Sequence, residues 1–130
     1  MDVAPIHAGS PVDPRADLGR RGEDAALDVY AGRGYRLVAR NWRVRSGEVD
    51  LVLGRRDGTL VFCEVKTRSG DAFGGGYEAV TREKQRKLRA LAELFLATCR
   101  PPPEHVRFDV ASVALRRRGP PSVEVFEDAF

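Results

Sequence analysis

The stretch TLVFCEVKT, Thr59–Thr67, constrains the fold more than any other part of the chain. Extended backbone sends successive side chains to opposite faces. Val61, Cys63 and Val65 therefore share one face, while Leu60, Phe62, Glu64 and Lys66 share the other. Both faces are apolar as far as Glu64, so the strand needs a covering layer on each side, as a central strand of a sheet does. Glutamate and lysine are seldom buried unless partnered, and Glu64 and Lys66 end such a strand. Cys63, inside the apolar run, reads as a small core residue.

The preceding strand, Glu48–Gly54, shows the same oddity, with Glu48 and Asp50 on one face together with Val52. The hairpin register decides whether the two sets of charges meet. A two-residue Asp57-Gly58 turn pairs Arg56 with Thr59 and sends Asp50 and Glu64 to opposite faces. A three-residue loop, Arg56-Asp57-Gly58, pairs Arg55 with Thr59 and sets Asp50 opposite Glu64. Both loops are chemically plausible: three-residue hairpins end in a left-handed residue, which Gly58 supplies, and this register is favoured because it gathers Asp50, Glu64 and Lys66 on one face. It brings the two carboxylates to about 5 Å between Cβ atoms, where like charges repel. A shared proton, an arginine, Lys66 or a divalent cation would offset that. Mg²⁺ (or Mn²⁺) prefers a few carboxylate oxygens plus water. Such an ion can activate water and stabilise charge on a phosphate, with Lys66 placed to hold the water or the phosphate. The plainer alternative is a Glu64–Lys66 ion pair at a strand end, with Asp50 near solvent.

The rest of the chain gives the layers. Residues 1–16 carry three prolines and no periodicity, and read as a disordered tail; residues 17–130 read as one domain. From Asp17 the apolar spacing of Leu18, Ala25, Ala26, Val29 and Tyr30 is helical, ending at Gly32 and Gly34. Tyr35–Arg43 reads as a strand. After the hairpin, residues 68–76 form a glycine-rich loop. A helix over 77–98 stops before Pro101-Pro102-Pro103. Val106–Leu115 reads as a strand, and Val123–Phe126 as a last edge strand. The order αβββαβ, with that extra strand, predicts an α/β or α+β fold with a sheet flanked by helices.

Several classes are excluded. With two cysteines and two histidines in 130 residues, neither a disulfide scaffold nor a Cys/His zinc site is supported. HExxH, GxSxG and GxxxxGK[ST] motifs are absent. No apolar run approaches the roughly 20 residues of a membrane span. The start lacks the pattern of a secretory signal, so a cytoplasmic protein is expected. The net charge of +3 permits an anionic partner. Any catalysis rests on carboxylates, lysine or a metal they hold.

The combination of Asp50 with Glu64-Val65-Lys66 on consecutive strands after a helix resembles the PD-(D/E)XK nuclease superfamily. The stretches GRRGEDAA (19–26), RNWR (40–43), GEVDLV (47–52), VFCEVKTR (61–68), EAVTREKQRKL (78–88) and RFDV (107–110) resemble more closely still the YraN family of predicted endonucleases. That family looks distantly related to Holliday-junction resolvases. The resemblance implies a restriction-endonuclease-like αβββαβ core and metal-dependent phosphodiester hydrolysis. Asp50 and Glu64 would be metal ligands, Lys66 the catalytic lysine, and Glu23 the further acid of resolvase-like members. Val49 stands where the superfamily usually has proline. DNA, branched or linear, is the implied partner, and a homodimer is a further implication. A nucleic-acid-binding module that cleaves nothing is the alternative.

Other residues carry weaker signals. Glu23 could equally complement the dipole of its helix. Glu48 reads as exposed or arginine-paired, Asp109 as a structural hydrogen-bonding residue, and Trp42 as partly buried core rather than a base-stacking platform. In the second helix Lys84 begins the inward stripe of Leu88, Leu91 and Phe95; it could reach a phosphate or simply snorkel. Gln85 could orient a water. Arg82, Arg86, Lys87 and Arg89 read as a basic outer face suited to a nucleic-acid backbone. Arg68, where the strand enters the glycine-rich loop, joins Lys84, Arg82 and Arg86 as a candidate contact, and the loop itself could clamp DNA.

Overall fold

The computed structural model describes residues 13–69 and 80–130. The first twelve residues, most of the glycine-rich loop, and Tyr77–Ala79 of the expected second helix lie outside them. Helix α1 spans Pro14–Gly32. It starts three residues before Asp17, taking Pro14–Ala16 from the expected tail. Asp13 is its N-cap, accepting the Arg15 N–H at 3.0 Å, and Pro14 occupies the first turn. Such an Asp-Pro start outweighs the missing apolar periodicity. Gly34, at φ +89°, turns the chain into the sheet.

Strands β1 (Tyr35–Val44), β2 (Gly47–Arg55) and β3 (Thr59–Ser69) form an antiparallel meander. Helix α2 (Arg82–Leu96) then carries the chain across to β4 (His105–Leu115), which runs parallel to β3, and β5 (Ser122–Phe126) pairs antiparallel on the outside. The sheet order is β1-β2-β3-β4-β5, with β3 in the centre. α2 begins at Arg82 because Thr81 caps it, its hydroxyl accepting the Lys84 N–H.

The β2–β3 hairpin adopts the three-residue link. Gly54 pairs with Leu60, and Leu51 with Cys63. Gly58 sits at φ +88° and donates its N–H to Arg55 O, while Asp57 accepts the Thr59 N–H.

Alternation along β3 then separates two cores. Val61 and Cys63 pack with Ala26, Tyr30, Leu51 and Leu53 beneath α1. Leu60 and Phe62 pack with Leu91, Ala92, Phe95 and Phe108 beneath α2. Each such large side chain, once buried, contributes roughly 1.5–3 kcal/mol, and edge-to-face contacts of Phe95 with Trp42 and Phe62 add to it.

Two local features set the site. A Cβ on Gly22 would fall on the Thr67 side chain, so α1 lies directly on β3 there, and the next residue is Glu23. In β1, Asn41 takes φ +49° between the Arg40–Leu51 and Trp42–Val49 pairs. That left-handed step, which asparagine tolerates, interrupts the pleat beside Asp50. Val49 accordingly packs with the α2-side core and not with Leu51 and Leu53.

Candidate functional site

One step beyond the Leu51–Cys63 pair, the register sets Asp50 opposite Glu64. There the ladder passes from backbone to side chain, and the Val65 N–H donates to Asp50 Oδ2 at 2.8 Å. Glu48, Asp50 and Glu64 line a cleft of about 210 Å³, closed by Lys84, Lys87, Leu88 and Leu91 of α2. Glu64 is buried, and Lys84 Nζ lies 2.7 Å from its Oε1. The ion pair that the sequence allowed between Glu64 and Lys66 does not form; Glu64 takes the lysine of the helix instead.

This pairing raises the pKa of the Lys84 ammonium through its hydrogen bond to Glu64. Asp50 has no cation of its own among the described residues. Burial first, then the charge of Glu64, push its carboxyl up to about 7, against the Val65 N–H, which lowers it; Glu23 and Glu48 add to the rise.

Among the described residues no group of three or more His, Cys, Asp or Glu is arranged to hold an ion alone. The donors offered are the oxygens of Asp50 and Glu64. Magnesium commonly takes one or two carboxylates and keeps several waters, so this donor set fits it. A divalent ion would relieve the repulsion now relieved by a proton on Asp50 and by Lys84.

Glu23 lies at mid-helix and is buried, so it neither caps α1 nor faces solvent. Arg40 Nε donates to its Oε1 and Asn41 Nδ2 to its Oε2, both at 3.0 Å. Asn41 Nδ2 also donates to Glu48 Oε1 at 3.1 Å, joining the two acids through one amide. Direct ligation by Glu23 would first require its release from both partners. Glu48 takes Arg43 at 2.7 Å, as its strand-end position suggested, while still lining the cleft.

Lys66 and Arg68 follow Glu64 on the same face of β3, opposite Ser112 and Ala114 of β4. Lys66 is partly buried and carries no ion pair among the described residues. Arg82 and Arg86 are exposed on α2.

The basic outer face is smaller than the sequence suggested. Lys87 turns into the cleft, where its Cε would lie 2.9 Å from a Cβ on Gly47. Arg89 lies over the Phe108 ring at 4.9 Å, with Phe130 beyond it. Gln85 donates to Val80 O and so trims the start of its own helix.

Trp42, Cys63 and Asp109 are structural, as expected. Asp109 is fully buried and accepts from Tyr30, from Arg107 through both oxygens, and from the Asp128 N–H. Sequence reasoning missed Asn41 and Arg40 as partners of Glu23. The signal available was an asparagine inside a strand, a residue type suited to positive φ.

The fold and the cleft define an α+β protein of restriction-endonuclease-like architecture, with a mixed five-stranded sheet and paired acids facing its crossover helix. Residues 22–113 match the model of a family described as "Uncharacterised protein family UPF0102". The chain belongs to this family, the YraN family. It is 52% identical over 116 residues to a UPF0102 protein of Clavibacter michiganensis, covering 87% of this chain and 95% of that one. A UPF0102 protein of Parafrankia sp. is 49% identical over 113 residues, with the same coverage of both chains. One from Mycolicibacterium smegmatis is 46% identical over 110 residues, covering 84% and 89%. Among the described residues no helix is long and apolar enough to cross a membrane.

Proposed function

We propose that this chain is a divalent-metal-dependent nuclease that hydrolyses phosphodiester bonds in DNA, branched DNA such as a four-way junction included. The observation that carries the reading is the convergence of Asp50 and Glu64 in one cleft, where burial and then the charge of Glu64 push the Asp50 carboxyl up to about 7. Paired acids that repel each other destabilise a fold, and a protein that only binds nucleic acid has no use for them.

Asp50 and Glu64 would hold Mg²⁺ or Mn²⁺, which supplies water activation and neutralises charge on the phosphate. Holding the ion would take Glu64 away from Lys84, whose ammonium would then be free to meet the phosphate. Lys66, on the same face and without a carboxylate partner among the described residues, would donate to the attacking water or to the phosphate oxygens as charge builds. Glu23, fixed by Arg40 and Asn41, keeps its negative charge near Asp50 and so favours a cation there. Arg82, Arg86 and Arg68 contact the backbone on either side. Two copies acting together would address two strands.

The alternative, a module that binds without cutting, draws on one observation: Lys84 already neutralises Glu64.

The test is cleavage of end-labelled linear, flapped and four-way-junction DNA in Mn²⁺ or Mg²⁺, with Glu64→Ala as control. Metal-dependent cutting by the wild type, lost in the variant, is the expected result. Equal DNA binding by both proteins with no cutting by either would overturn the reading in favour of the binding module.

A further inference from the structure

A larger recess of about 720 Å³ lies at the far end of the β2–β3 hairpin from the carboxylate cleft. The apolar part of its wall is built from Val38, Leu60, Phe95 and the prolines after α2. Its rim carries Arg36, Arg56 and Arg100. Arg36 and Arg56 are exposed, and neither makes an ion pair among the described residues. The other charges at the recess are engaged or at its edge. Arg55 is held by Asp57 and the Tyr35 hydroxyl, Arg100 donates to the carbonyls of Ala97 and Cys99, and Glu104 packs against Gly58.

Gly54 gives an independent sign that the recess is built. It is buried in the interior of β2 and is not among the positive-φ glycines, so its conformation suits any residue. Glycine there weakens a strand unless something must approach closely. A Cβ at Gly54 would stand 2.8 Å from Arg36 Nη1 and 3.2 Å from Val38 Cγ2. The guanidinium therefore lies across bare backbone at the recess.

The geometry points to this recess as a second nucleic-acid subsite, which takes one unpaired nucleotide of the bound strand. Its phosphate rests on Arg36 and Arg56, and its base and sugar lie against the apolar wall. The size falls within the roughly 300–1,000 Å³ of sites for small ligands, and the concave shape suits a splayed nucleotide more than the convex side of a duplex. Leu60 and Gly54 at the recess each lie four residues from Glu64 and Asp50 along their strands, about 13 Å at the rise of a β-strand. The buried Val52, Phe62, Leu91 and Phe95 beneath α2 fill the space between the two sites, so a strand that reaches both passes around the outside of α2. The identity of the strand rests on the nuclease reading; the chemistry of the recess does not.

The experiment is fluorescence anisotropy on the full chain in EDTA, with a labelled single-stranded 12-mer, the same sequence as a duplex, and free dAMP as competitor. The double variant Arg36→Gln/Arg56→Gln should bind the single strand about tenfold more weakly. Its plot of log K against log salt should be shallower by about 0.7, the share of one phosphate contact to a single strand. Arg36→Lys/Arg56→Lys should restore the slope. Gly54→Val, which removes no charge but displaces the Arg36 guanidinium, should weaken single-strand binding as well. Duplex binding should change less than threefold in all three, and dAMP should compete only weakly.

Equal losses for single strand and duplex, unchanged single-strand binding, or no single-strand binding by the wild type would each overturn the subsite. Strong competition by dAMP would also overturn it, in favour of a free-nucleotide site. Calorimetry with Mn²⁺ on the wild type and Glu64→Ala reports on the carboxylate cleft independently. The two readings can therefore fail separately.

Discussion

Replacing Asp50 by asparagine should make the protein more stable at neutral pH, and the gain should disappear in acid. The Asp50 carboxyl is buried beside Glu64, with Glu23 and Glu48 nearby; burial and then Glu64 push its pKa up to about 7, against the Val65 N–H, which favours the ionised form. Between about pH 4 and pH 7 the folded protein keeps a proton that the unfolded chain has released. The group's contribution to stability is therefore full below about pH 4, falls as the pH rises toward 7, and stays low above it. A shift of this size corresponds to about 4 kcal/mol. Asparagine carries no charge to desolvate and still accepts the Val65 N–H, through a bond about 1 kcal/mol weaker than one to a carboxylate. Asp50→Asn should thus be about 3 kcal/mol more stable than the wild type at pH 8, and equal to it within about 1 kcal/mol at pH 4. Urea denaturation in EDTA at both pH values measures this, and the difference between the two proteins removes the acids they share. A gain that is the same at both pH values, or a loss at pH 8, would refute the reasoning. Adding Mn²⁺ should then reverse the order, because an ion held by Asp50 stabilises only the wild type.

Three further outcomes follow from the same geometry. Lys84→Met should tighten Mn²⁺ binding several-fold by calorimetry, since the ammonium on Glu64 competes with the ion; unchanged or weaker binding would show that Lys84 is no competitor. Asn41→Ala should cost about 2 kcal/mol in denaturant unfolding, through the lost bonds to Glu23 and Glu48 and the strain of alanine at positive φ. Asn41→Gly, which relieves the strain alone, should recover about half of that. Gly22→Ala should destabilise by roughly 1–3 kcal/mol, because the new methyl group collides with Thr67 where α1 lies on β3; a neutral thermal melt would show that the helix can simply lift away.

The charge pattern around the cleft explains why these perturbations differ in sign. Glu23 and Glu48 have protein partners in Arg40, Asn41 and Arg43, so removing a partner destabilises. Among the described residues Asp50 has a backbone N–H and no ion pair of its own, so removing its charge stabilises. A site that holds one carboxylate against its own stability is the pattern expected where function needs the charge.

The sequence by itself determined the element order and narrowed the hairpin to two registers; alternation along an extended strand, a glycine able to adopt positive φ at Gly58, and apolar spacing along a helix are local rules. The structure chose the three-residue link, which sets Asp50 opposite Glu64. Those rules also placed Trp42, Cys63 and Asp109 in structural roles. Tertiary structure alone decided which cation meets which acid. Lys84 and Lys87 are three residues apart on α2, and both enter the cleft because Leu88 and Leu91 fix the rotation of the helix over the sheet. Arg89 leaves the basic face because Phe108 and Phe130 arrive beneath it from β4 and the chain end. Glu23 finds Arg40 and Asn41 because Gly22 lets α1 down onto β3 and a left-handed asparagine turns its amide toward the helix. Long charged side chains reach several ångströms with many rotamers, so their partners depend on how the layers are set against each other, and that setting comes from packing across the two cores.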